Sequence, residues 1–354
     1  MTAYTFSIPN LPHAGLRRLA WAAAAFALLV IVFGAFVRLS NAGLSCPDWP
    51  TCYGHMTWPT QEHEVASANS AFPDRPVESG KAWREQVHRI LVGGLSLLTF
   101  ALAGWAWWRR RDLRGISVAP LAAAVVIVFQ ALLGMWTVTL KLLPAVVMAH
   151  LLGGLLLFAL LGYTALRLTV APAGTARTTL LRRLSVLALG LLALQIALGG
   201  WTSSNYAALA CGNDFPKCLG FWWPPTDFRE GFVLWRGIGA NYEGGVLDTA
   251  ARSAIQLTHR IGALLTFLAV GAVAAAAARR AATRAFGVIV GILLLLQIAL
   301  GIGNVVLGLP LAVAIAHNGV AALLLLALLA LLVRSRDEGR GTSAAGRSER
   351  VARN

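Results

Sequence analysis

The chain has 354 residues, of which 57% are hydrophobic and only 13% charged, with mean hydropathy +0.67. That composition excludes an ordinary soluble domain and a disordered chain alike. The formal charge of +15 does not point to nucleic acid, because the basic residues gather at the ends of apolar runs instead of on a polar face interleaved with aromatics.

Crossing ~30 Å of hydrocarbon takes roughly 20 apolar residues, and the first such run covers about 17 to 39, behind Arg17 and Arg18. It exceeds a signal-peptide core and has no convincing cleavage site after it, so it reads as a retained span. A polar segment with "CPDWPTC" follows, containing Cys46 and Cys52. Span 2, about 86 to 108, contains His88 and Arg89, with Glu85 at its entry, and the basic run "RRRDLR" at 109 to 114 joins it to span 3, about 117 to 140. Span 4, about 144 to 167, places His150 near its start.

After Arg177, Arg182 and Arg183 the order repeats. Span 5 (181 to 203) leads to "CGNDFPKC" with Cys211 and Cys218, and span 6 (253 to 278) contains His259. "RRAATR" at 279 to 284 precedes span 7 (285 to 307), and span 8 (310 to 333) contains His317. The repeat has a nearly constant offset: Gln130 to Gln297 and His150 to His317 are 167 residues apart, Cys46 to Cys211 is 165, and His88 to His259 is 171. The expected fold is all-α: a polytopic eight-helix bundle made of two four-helix halves, 1 to 170 and 171 to 335, related by a pseudo-twofold axis along the membrane normal. Residues 336 to 354, polar and arginine-rich, read as a disordered cytoplasmic tail. The positive-inside rule places both termini in the cytoplasm and the cysteine loops on the outer face of the cell membrane.

That face is oxidising, so disulfides Cys46–Cys52 and Cys211–Cys218 are the leading reading, with a redox-active thiol pair as the alternative. His13, His55 and His63 sit in polar segments and read as solvated. His88, His150, His259 and His317 occur once each in the even-numbered spans, where an ionisable side chain is by default functional. Paired imidazoles at equal depth, flanked by Gly93, Gly94, Gly153, Gly154, Gly262 and Gly319, suit a flat macrocycle with two axial ligands. A zinc, copper or non-haem iron site would ask for a further ligand, and only Glu85 is at hand. Gln130 and Gln297 suit hydrogen bonds between helices, Arg89 and Arg260 suit either propionates or the interface, and Trp222 and Trp223 suit an interfacial anchor.

The stretches "VRLSNAGLSCPDWPTC", "EQVHRILVG" and "NYEGGVLDTAARSAIQLTHRIGALL" resemble the haem A synthase family, and the likeness runs from span 1 to span 8. The resemblance implies an oxidoreductase that converts the C8 methyl group of haem O to a formyl group through a hydroxylated intermediate, for terminal oxidase assembly. It implies haem O between His88 and His150, and a resident haem b on His259 and His317. It further implies contact with haem O synthase and oxidase assembly factors, within membrane lipid, and a homo-oligomer is compatible with it. A di-haem electron carrier and a haem-transfer protein stand as rival functions. What separates them is chemical difference between the halves: Glu85 lies three residues before His88, whereas Gln256 holds that place before His259. On a helix this puts a titratable carboxylate on the face of one histidine only, and Glu85 is the expected catalytic group.

Overall fold

The computed structural model describes residues 13–113, 115–173 and 179–336, so the expected tail beyond Arg336 lies outside the described residues. Among the described residues the chain is helical, and its only β pairing is two isolated bridges. Eight helices are long and apolar enough to cross a membrane. Leu97, Val125, Leu268 and Ile292 are each more than half exposed. Side chains of this kind, spread over helix after helix, suit lipid and would be a liability in water. The chain is a multi-pass membrane protein.

It divides into two compact units. The first comprises residues up to Thr169 together with Leu234–Glu243. Its helices are α1 (Ala14–Leu39), the short α2 (Glu62–Ala71), α3 (Ser79–Trp108), α4 (Val118–Thr139) and α5 (Pro144–Arg167). The four long ones form a ring in which α1 meets α3, α3 meets α4, α4 meets α5 and α5 returns to α1. The buried face of α1 is a small-residue stripe, Ala20, Ala23, Ala24 and Ala27. Where lipid is as apolar as leucine, such a stripe favours association by letting helix backbones approach.

The second unit holds α6 (Thr179–Ser204), the single turn α7 (Phe228–Gly231), α8 (Thr249–Ala278), α9 (Arg284–Val306) and α10 (Leu311–Arg334). Its ring runs α6, α8, α9, α10 and back to α6. Leu181, Val270, Val290, Leu294, Leu324, Leu328 and Leu331 fill one end of this bundle. His259 and His317 lie toward the other end, where the disulfide loop is.

Backbone geometry repeats between the units. Left-handed residues recur at Asn41 and Tyr206, Tyr53 and Leu219, Gly54 and Gly220, Lys141 and Gly308, and Leu142 and Leu309, at offsets of 165 to 167 residues. A non-glycine side chain is strained in that region, so its return at matching places marks one loop design used twice.

Two helices begin earlier than their apolar runs. α3 starts seven residues before 86, and its polar first turns are accommodated because Glu85 and Gln86 are both buried and bonded to the loop, Gln86 donating to the Met56 carbonyl at 2.7 Å. α8 starts at Thr249, capped by Asp248, whose carboxylate accepts from the Ala251 amide at 2.8 Å. α2, within a segment read as loop, is set by a capping box between Gln61 and Glu64.

Candidate functional site

Each unit brings two of the four intramembrane histidines together. His88 lies nine residues into α3 and His150 six into α5, depths of about 14 and 9 Å at the helical rise. The second unit repeats the arrangement with His259 on α8 and His317 on α10. His13, His55 and His63 belong to neither pair.

Every one of these rings lies against a glycine of the neighbouring helix. A Cβ on Gly34 would stand 2.9 Å from His88 Cε1, one on Gly134 3.4 Å from His150 Cε1, one on Gly199 3.2 Å from His259 Cε1 and one on Gly301 3.1 Å from His317 Cε1. The ring edges occupy the space a side chain would take. Sequence reasoning credited other glycines. Of those, Gly94 faces Phe26, Gly93 has open space, and Gly153 and Gly262 receive the amides of Gln130 and Gln195. The signal for the true set was available, since Gly34 and Gly199 are 165 residues apart and Gly134 and Gly301 are 167.

The ring nitrogens suit metal ligation. Nδ1 of His88, His150 and His317 is buried with no hydrogen-bond partner, an arrangement native interiors seldom leave without a reason. No group of three or more His, Cys, Asp or Glu capable of holding a metal ion occurs among the described residues. Two imidazoles per unit, with glycines freeing their edges, match the axial needs of a haem better than those of a tetrahedral metal.

Above the first histidine pair lies the Cys46–Cys52 disulfide, and the second unit has Cys211–Cys218 in the same role. Both pairings expected from the sequence are present. Arg89 donates to the carbonyls of Asp48 at 2.8 Å and Thr51 at 2.6 Å. Arg260 donates to those of Lys217 at 2.8 Å and Asp214 at 3.0 Å, so the arginine after His88 and the one after His259 each clamp the loop of their own unit. Asp48 accepts from the Gly54 amide and Asp214 from the Gly220 amide, again at matching places. Trp222 and Trp223 are exposed, as an interfacial anchor requires.

The loops differ in one respect. Glu85, 5% exposed, accepts from the Cys46 amide at 2.9 Å and the Ser45 hydroxyl at 3.1 Å, and pairs with Arg89 at 2.7 Å. Gln256, its counterpart, is equally buried, but its Oε1 has no partner. Ala210 stands where the first loop has Ser45, so the hydroxyl is missing as well. The carboxylate network exists in the first unit alone. Of the two glutamines singled out in the sequence, Gln297 reaches across to His317, with Nε2 atoms 3.2 Å apart, whereas Nε2 of Gln130 is buried without a partner.

The COX15-CtaA family model, described as "Cytochrome oxidase assembly protein", matches residues 17–329. A curated relative from Shewanella oneidensis named "Heme A synthase" is 46% identical over 308 residues, covering 86% of this chain and 92% of its own. Proteins of the same name from Methylobacterium nodulans and Rhizorhabdus wittichii are 30% and 29% identical, covering 88% and 85% of this chain and 89% and 88% of theirs.

Proposed function

Since this chain belongs to the haem A synthase family, we propose that it divides the work of haem A synthesis between its units: the first holds haem O and the second a resident haem b. Membership of the family does not favour the rival di-haem carrier or haem-transfer readings. The observation behind the division of labour is a histidine seat built twice with a buried carboxylate in only one copy.

His88 and His150 would hold the substrate iron, and His259 and His317 the haem b iron. Haem b bound there supplies electron transfer. The reaction would turn the C8 methyl of haem O into a formyl group by way of a hydroxylated intermediate, an oxidation that takes one oxygen atom from water or dioxygen and passes electrons to an external acceptor as protons are released. Glu85 is the group of this chain suited to take up a proton beside the first seat: it is buried, three residues from His88 on the same helix, and held as a carboxylate by Arg89, the Cys46 amide and the Ser45 hydroxyl.

The arginines at the helix ends away from the disulfide loops support a cell-membrane topology with cytoplasmic termini and outward loops. So apolar a substrate suits direct transfer from a haem O synthase, with delivery onward to oxidase assembly factors.

Pigment analysis of purified wild type, His88→Ala and His259→Ala tests the division. His259→Ala should lose the low-spin haem b, while His88→Ala should keep it and make no haem A. Retention of a normal haem b spectrum by His259→Ala, or of haem A production by His88→Ala, would overturn the assignment.

A further inference from the structure

The same short pattern precedes three of the four ring-seating glycines. α4 has "QALLG" from Gln130 to Gly134, α6 has "QIALG" from Gln195 to Gly199, and α9 has "QIALG" from Gln297 to Gly301. Glutamine and glycine four apart lie one turn from each other on the same helix face, so each pattern offers an amide next to the seat. α1 breaks the pattern with "VIVFG", where Val30 takes the glutamine's place before Gly34.

The amides are used differently. Gln195 Nε2 lies 3.0 Å from His259 Nδ1 and donates at 3.0 Å to the His259 carbonyl, while its Oε1 rests against Gly262, one turn further along α8. His88 has no such neighbour. Its Nδ1 is buried and unpartnered, and its ring lies nearly parallel to Phe33, centroids 6.4 Å apart and planes 11° apart. One histidine is held at its ring and backbone by a single amide, and its counterpart has only apolar contact.

We propose that Gln195 is a positioning residue that locks His259 as a permanent iron ligand, and that Val30 leaves His88 free to let its haem go. The inference rests on the reading of the second unit as the haem b unit. Ligation through Nε2 needs a fixed ring plane and a defined partner at Nδ1, which outer hydrogen bonds supply. With Nε2 on iron the neutral ring carries its proton on Nδ1, so the amide serves the bound state turned over, its Oε1 accepting from Nδ1–H in exchange for the bond to the His259 carbonyl. A resident cofactor gains from that restraint, whereas a site that must release product at every cycle gains from its absence.

The test uses the full-length protein purified with its pigment. Excess apomyoglobin serves as haem acceptor, and low-temperature EPR reads the low-spin haem b signal. In Gln195→Val, haem b should pass to the acceptor ~10–100-fold faster, the scale of a lost outer partner, and the low-spin EPR signal should shift as the imidazole plane is freed. Should that variant not accumulate, Gln195→Met, close in volume and without the amide, takes its place. In Val30→Gln, haem should leave the first unit more slowly than in wild type. Wild-type release and EPR in the Gln195 variant would overturn the locking role, and unchanged release from Val30→Gln would overturn the role of Val30. His259→Ala separates the two levels. If it keeps haem b, the unit assignment itself is wrong, and if it loses haem b while Gln195→Val behaves as wild type, only the positioning inference falls.

Discussion

Arg89 stands one helical turn beyond Glu85 on α3, and its Nη2 reaches the Glu85 carboxylate at 2.7 Å while its Nη1 spans the carbonyls of Asp48 and Thr51. Glu85 in turn accepts from Cys46. The two side chains therefore join the disulfide loop to the helix that carries His88. A buried ion pair of this kind holds its geometry because every donor has somewhere to go.

Glu85→Gln makes the first unit resemble the second at this position and leaves Arg89 with an uncompensated charge. Breaking one side of a buried pair costs about 3–5 kcal/mol, and the amide, which can still bond to the loop, should limit the loss to the lower part of that range. The expected result is a protein that folds with haem b bound, melts at lower temperature, and accumulates haem O or its hydroxylated form. Near-normal haem A yield from that variant would take Glu85 out of the chemistry.

Asp48 gives the first loop a pH dependence. Burial pushes its carboxyl up, but the Thr51 hydroxyl and the amides of Gly54 and Tyr53 outweigh it and hold the group below its usual 3.8. A carboxyl with a lowered folded value contributes stability that is present above the unfolded value and disappears as pH falls through the folded one. Proteolysis of the loop at residues 47 to 55 should stay slow down to about pH 4 and accelerate below it. Asp48→Asn should show fast cleavage at neutral pH, and equal cleavage of both proteins at pH 7 would remove Asp48 from the account.

How much of this was legible beforehand depended on range. Hydropathy alone gave eight spans, because a bilayer imposes length and apolarity on every crossing, and the repeat gave the histidine pairs. α3 and α8 start ahead of their apolar runs because residues 79–85 and 249–252 are largely polar, and no local rule foresees that the surrounding chain buries Glu85 and Ala251. Gly34 and Gly199 went unremarked for a related reason. A glycine in an apolar helix looks like any other until the partner helix shows a ring edge facing it. Arg89 and Arg260 were legible as a pair but not in their partners, which are backbone carbonyls and carry no residue signature.

The two disulfides close loops of only six and seven residues in sequence separation. On the chain-entropy account each contributes about 2 kcal/mol. Replacing Cys211 and Cys218 together by serine should therefore lower thermal stability modestly while leaving the His259 seat, built from α6 and α8, able to keep haem b. Non-reducing peptide mapping of wild type should recover Cys46 with Cys52 and Cys211 with Cys218. A Cys46 to Cys211 link would contradict two separate loop caps.

The glycine seats make the sharpest demand. At Gly199 a Cβ would already stand 3.2 Å from His259 Cε1 and 3.8 Å from its Nδ1, so a larger side chain has to move the ring. Overpacking a filled site costs about 1–3 kcal/mol and shifts side chains off their preferred rotamers, and a displaced His259 would no longer be placed to hold the haem b iron. Gly199→Leu should thus lose the low-spin haem b spectrum although the helix gains propensity from losing a glycine. Gly190, on the same helix with nothing within 4 Å of its Cβ position, is the control, and Gly190→Leu should retain full pigment. The mirror substitution, Gly34→Leu in α1, should spare haem b and abolish haem A formation, because only the His88 seat is filled. Purified pigment content decides the matter: haem b lost equally from Gly190→Leu and Gly199→Leu would mean that bulk on α6, and not the seat for His259, sets retention.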